Sequence, residues 1–124
     1  MAQDIASLIT QAVREYTADV VEEIDRQAIK IANKTVKELK RTSPRRFHGG
    51  RHYADGWGRR KVDGAQVVYN KTKPGLTHLL EHGHLMRNGD RTRAFPHIFP
   101  AEQTAIKAYE KAVEQAIESG GEPR

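Results

Sequence analysis

From Asp4 to Arg41 the chain contains neither glycine nor proline. Within that run, apolar or small residues recur at Ile5, Leu8, Ile9, Ala12, Val13, Tyr16, Val20, Ile24, Ala28, Ile31 and Leu39, mostly three or four apart. This spacing lays one stripe along a helix. Asp4 stands near its start and Lys34, Lys37, Lys40 and Arg41 crowd its end, each sign matching the helix dipole at that terminus. Ser43-Pro44 stops it, because proline disfavours helix in the residue before it. At 1.5 Å per residue, the helix predicted over residues 4–41 is about 55 Å long. That exceeds the width of a domain built from 124 residues. Part of it must therefore project or bend, and a projecting amphipathic helix needs a partner, such as another copy of the chain. The competing reading is a break near Tyr16-Thr17 into two shorter helices.

The rest of the chain is punctuated much more often. Residues 42–52 form a basic, glycine-containing loop. Tyr53 to Val62 and Ala65 to Asn70 are expected as strands flanking Asp63-Gly64, a strong two-residue hairpin signal. In the second strand Val67 and Tyr69 should face one way and Val68 and Asn70 the other. Trp57, the single tryptophan, should anchor the sheet against a helix. Lys71 to Gly75 is a turn, Leu76 to His82 a two-turn helix ended by Gly83, and residues 83–99 a mobile basic loop. Pro100 opens a last helix to Ser119, with an apolar stripe from Ala105 to Ile117. The expected fold class is α+β: a long N-terminal helix, a short antiparallel sheet including a hairpin, a short central helix and a C-terminal helix. These elements are expected to form one domain over residues 1–124: the long helix (4–41), a basic β-rich middle with loops (42–99) and the C-terminal helix (100–119).

Charge is unevenly spread. Residues 41–93 hold 12 basic and 4 acidic side chains, a net of +8, while the flanks carry −1 and −2. Such a segment suits a polyanion or an acidic protein surface, and equally a solvated basic loop region. Arg45, Arg46, Arg51, Arg87, Arg91 and Arg93 are the interaction candidates, since a guanidinium fork pairs bidentately with carboxylate or phosphate. The competing role for them is keeping the chain in solution. The absence of cysteine removes disulfides and thiolate zinc sites. No apolar run is long enough to span a membrane, and the N-terminus carries no secretory signal pattern.

Thr77-His-Leu-Leu-Glu-His-Gly-His84 contains His78, Glu81 and His82 in the H-x-x-E-H order of inverted-motif zinc peptidases. Two histidines four apart share a helix face, and the glutamate beside the second would activate water. Such a peptidase also needs a third ligand and a cleft. Only five acidic residues follow residue 93, and leucines at 76, 79, 80 and 85 commit the motif to packing. The segment is therefore read as structural, with Gly83 setting the helix end and Glu81 accepting hydrogen bonds from a nearby histidine or arginine. His97, between apolar residues and Pro96, is read as a packed structural histidine. No nucleophile elbow or phosphate-cradling glycine motif is present, so neither catalysis nor a cofactor is expected.

In order along the chain, Tyr53-Ala-Asp-Gly-Trp57, Val68-Tyr-Asn70, Leu76-Thr-His-Leu-Leu-Glu-His-Gly-His84 and Pro96-His-Ile-Phe-Pro-Ala101 form a set. That set, behind a long helix, resembles the small tail-component proteins of lambdoid long-tailed phages, grouped as head–tail joining or tail-completion proteins. The resemblance covers residues 5–118; Met86 to Arg93 departs from the family's more uniformly glycine-rich loop tip. It implies a non-enzymatic structural role at the virion neck, the protein being made in the bacterial host cytoplasm. It also implies contacts with other neck and tail proteins, a homo-oligomeric ring with six-fold assembly as the expectation, and non-specific contact with DNA in the channel. Two readings compete with it: a small basic nucleic-acid-binding protein, and a zinc-dependent hydrolase using His78, Glu81 and His82.

Overall fold

The computed structural model describes residues 4–45 and 50–123, and, in the helix that begins at residue 50, side chains from Tyr53 onward. The elements in chain order are α1 (Ile5–Thr42), α2 (Gly50–Asp55), β1 (Trp57–Val62), β2 (Ala65–Asn70), α3 (Leu76–His82) and α4 (Ile98–Ser119). The architecture is α+β, with two antiparallel strands as its sheet.

α1 is one unbroken helix of 38 residues, about 57 Å long at 1.5 Å per residue. The break considered near Tyr16-Thr17 does not occur. Asp4 caps its start by accepting a hydrogen bond from the Ser7 backbone N–H at 2.7 Å. At its end the Ser43 N–H donates to the Leu39 carbonyl at 2.9 Å, before Pro44 turns the chain away. Every residue from Asp4 to Asp19 is exposed, and burial along α1 begins at Val20 and recurs at Glu23, Ala32 and Leu39.

The buried stretch of α1 packs mainly against α4, which contributes Ala101, Ala112 and Ala116. Small side chains there let the two helix backbones come close. The Tyr16 hydroxyl donates to the Ile117 carbonyl at 2.7 Å, tying the end of α4 to α1. Gly121 follows in a left-handed conformation (φ 90°), where a Cβ would sit 2.4 Å from the Asp19 carbonyl. Only glycine fits that crossing. Beyond it, residues 5–15 of α1 extend about 16 Å past the end of α4.

β1 and β2 form a hairpin in which Trp57 pairs with Asn70 and Val62 with Ala65. Its two-residue turn, Asp63 (φ 49°) and Gly64 (φ 82°), has both φ angles positive, as the strand twist of a tight hairpin requires. Residues opposite each other share a face, so Trp57 and Val68 look inward while Arg60 lies 4.8 Å from the centre of the Tyr69 ring outside.

The core gathers Leu39, Tyr53, Trp57 and Ala101, with Val36, Val68, Leu76, Leu80 and Ile98 packed around them. One expectation needs correction here. Tyr53 to Asp55 are helical in α2 rather than the start of a strand; this places the Tyr53 side chain wholly inside, edge-on to Trp57, where a strand would alternate its faces. Residues 83–95 form a loop, as expected, and its two sides are held together. They fold back on themselves as a short arm, with a bridge between Leu85 and Arg91 and hydrogen bonds from Met86 N to Asp90 O (2.6 Å) and Thr92 N to His84 O (2.8 Å). No helix among the described residues is long and apolar enough to cross a membrane.

Candidate functional site

α3 delivers Glu81 to the interior and leaves His78 and His82 exposed, their ring centres 4.7 Å apart. The Glu81 carboxylate reaches the N-terminus of α4, where His97 provides no side-chain cap of its own. Its Oε1 accepts from the backbone N–H groups of His97 and Ile98, both at 2.8 Å, and its Oε2 from that of Phe99 at 2.9 Å. Three donors that open a helix are satisfied at once by one distant side chain, and the negative charge meets the positive end of the dipole. Burial by itself would raise the carboxyl's pKa; the three N–H donors and the adjacent His97 ring outweigh it and hold Glu81 below the usual carboxylate value.

His97 is buried directly behind this cap. Its Nδ1 lies 2.6 Å from the Phe95 carbonyl and 3.1 Å from Glu81 Oε1, so Nδ1 carries a proton. Its Nε2 is 2.6 Å from the Tyr53 hydroxyl, which donates to it when the ring is neutral. Burial and then the nearby Glu81 charge push the Tyr53 phenol well above its ordinary value. The Tyr53 and His97 rings meet edge-on at 5.6 Å. The Trp57 indole N–H donates to Ser43 Oγ at 2.8 Å, and Ser43 Oγ–H donates in turn to the Leu39 carbonyl. Asn70 closes the cluster by donating to the Tyr53 carbonyl at 2.7 Å. One hydrogen-bonded set thus joins α2, β2, α3 and α4, a second joins β1 to the end of α1, and the two meet where the Tyr53 and Trp57 rings touch edge-on at 5.7 Å.

The three residues of the H-x-x-E-H order have different surroundings. Both Glu81 oxygens are engaged by backbone donors, with Glu81 buried while His78 and His82 are exposed. Among the described residues, no group of three or more His, Asp or Glu side chains is placed to hold a metal. Gly83 ends α3 with φ 74°, and a Cβ there would lie 2.5 Å from the Thr92 carbonyl. His84 N–H donates to Thr92 Oγ1 at 2.8 Å, and His84 Nδ1 lies 3.1 Å from the same oxygen. Gly83 and His84 therefore pin the base of the arm. Pro96 is exposed just before the buried His97.

The six candidate arginines have different surroundings. Arg45 is used within the chain, pairing with Asp55 at 3.4 Å and donating to the Lys40 carbonyl at 2.7 Å. Arg46 lies outside the described residues; Arg51 belongs to α2 and its side chain also lies outside them. Arg93 lies 5.4 Å from the centre of the Phe95 ring. Arg87 and Arg91 stand exposed on the arm. Sequence reasoning named Ser43 only with Pro44 as the helix stop, and gave none of Ser43, Tyr53 and Asn70 a role in the core. The signal was present for two of them, because Tyr53 and Asn70 fall in the motifs that carry the family resemblance.

A family model described as "HK97-gp10_like: Bacteriophage HK97-gp10, putative tail-component" matches residues 6–83, well over half of the chain. The match runs from the projecting part of α1 to the glycine that ends α3. No curated protein and no solved structure matches the chain significantly.

Proposed function

We propose a neck role for this chain, which belongs to the HK97-gp10-like family of bacteriophage tail components: it joins heads to tails as a non-enzymatic subunit of a ring in the virion. The observation that carries an assembly role is the unburied half of α1. Ile5, Leu8, Ile9, Val13 and Tyr16 continue the face that α4 covers further along, yet Ile5 is 76% exposed and Ile9 58%. An apolar stripe on the order of 500 Å² is at the upper end of what a monomer exposes, and patches of that size are often functional. The partners of this stripe are other neck and tail proteins.

The reading as a small nucleic-acid-binding protein gains less support. Several cations of the basic middle are occupied within the chain: Arg59 donates to Asn33 and Gln66, Arg45 pairs with Asp55, and Arg60 stacks on Tyr69. Contact with DNA in the channel is then a secondary, non-specific property. Gold labelling of purified virions through an epitope fused at the C-terminus tests the location. Label at the junction of head and tail is expected; label along the tail shaft, or none on intact virions, would sink the neck reading.

A further inference from the structure

A groove of about 740 Å³ runs between α1, the hairpin and α4. Its floor is apolar, with Ile31, Ala105, Ile106 and Tyr109 among the lining residues, and Ile106 and Tyr109 are each more than 40% exposed. Asp25, Glu102 and Glu110 stand along it, and the groove contains no cation. None of these three carboxylates is in an ion pair among the described residues. The arm formed by residues 83–95 has the complementary character. Leu85 is 65% and Met86 39% exposed, and Arg87 and Arg91 beside them also lack an ion pair. No arm residue lines the groove of its own chain.

We infer that the arm of one copy docks in the groove of the next, with Leu85 and Met86 over Ile106 and Tyr109 and with Arg87 and Arg91 facing Glu102, Glu110 and Asp25. The charge match selects this occupant over the projecting end of α1. That stripe is apolar but carries no cation on its face: Ile5, Leu8, Ile9, Val13 and Tyr16 are all neutral. The arm supplies both the apolar contact and the opposite charge, and arginine and methionine are residue types enriched at interfaces. It is also held in shape before it docks, by the Gly83 crossing and the His84–Thr92 bonds, which lowers the ordering cost of association. Arm and groove are different surfaces, so the contact is heterologous, and repetition with a closing rotation yields a ring. The inference rests on the ring proposed above and supplies its contact.

The chain has no cysteine, which makes disulfide trapping direct. Full-length Leu85→Cys and Ile106→Cys variants are mixed and mildly oxidised, with each variant alone as control. A disulfide-linked dimer should form in the mixture and be absent from either variant alone. Adding Arg87→Glu and Arg91→Glu to the Leu85→Cys chain should abolish it. Further reversal of Glu102→Lys and Glu110→Lys on the Ile106→Cys chain should restore it. Absence of the mixed dimer, indifference to the charge reversals, or a mixed dimer between Ile9→Cys and Ile106→Cys instead would overturn the docking. Labelling virions is a separate readout: gold at the neck with no mixed dimer removes this contact and keeps the neck role, and the reverse result does the opposite.

Discussion

The carboxylate of Glu81 lies 2.8 Å from the backbone nitrogen of His97, sixteen residues later, and caps α4 from another helix. It does what a residue at the N-cap position would ordinarily do, while His97 there turns its ring inward to Tyr53. The cap and the ring contact therefore meet at one residue, His97.

Replacing Glu81 with alanine should cost about 2–3 kcal/mol, the scale of a lost cap plus buried donors left without a charged acceptor. His82→Ala, at an exposed position, should stay within about 0.5 kcal/mol. Urea unfolding followed by Trp57 fluorescence measures both. Equal midpoints for the two variants would show that the cap carries no stability.

Stability should also depend on pH through this group. The Glu81 pKa is lowered in the folded chain, so its contribution is fully present above the unfolded carboxylate value of about 4.3. It is then lost as pH falls through the lower folded value. Glu81→Gln keeps the shape and removes the charge, so the acid limb of a stability–pH curve should flatten relative to the parent. An unchanged acid slope would mean that other carboxylates set it.

Tyr53→Phe leaves His97 Nε2 without its buried partner and should destabilise by about 1–3 kcal/mol. Because the Tyr53 phenol is held above its ordinary value, ultraviolet titration should show a late alkaline step that disappears in this variant. Loss of an early step instead would place Tyr53 in contact with water.

Much of the architecture could be read from residues close together in sequence. α1 follows from an uninterrupted 3.6-residue period with both ends marked, and the hairpin from Asp63-Gly64, whose positive φ angles are those the turn needs. Tyr53 misled because an aromatic residue before a strand continues its pattern, and only the tertiary contact with Trp57 and His97 decides that it is helical. The role of Glu81 was legible in part. A polar acceptor in a leucine-rich helix must find donors, but its donors are backbone amides of residues 97–99, which no side-chain pattern records. The shape of the arm was not legible for a related reason, since it depends on main-chain bonds between His84, Met86, Asp90 and Thr92.

The projecting half of α1 should matter for assembly and hardly at all for folding. Ile9→Gln with Val13→Gln alters side chains that are both more than half exposed, so unfolding midpoints should shift by no more than about 0.5 kcal/mol. The same variant should fail to replace the parent chain in producing infectious particles. A large loss of stability would mean that the stripe is buried within one chain.

Electron microscopy of particles assembled without this chain tests the neck role most directly. Filled heads and separate, complete tails are expected, with joining restored when the purified protein is added to the mixture. Normally joined virions in its absence would contradict the role.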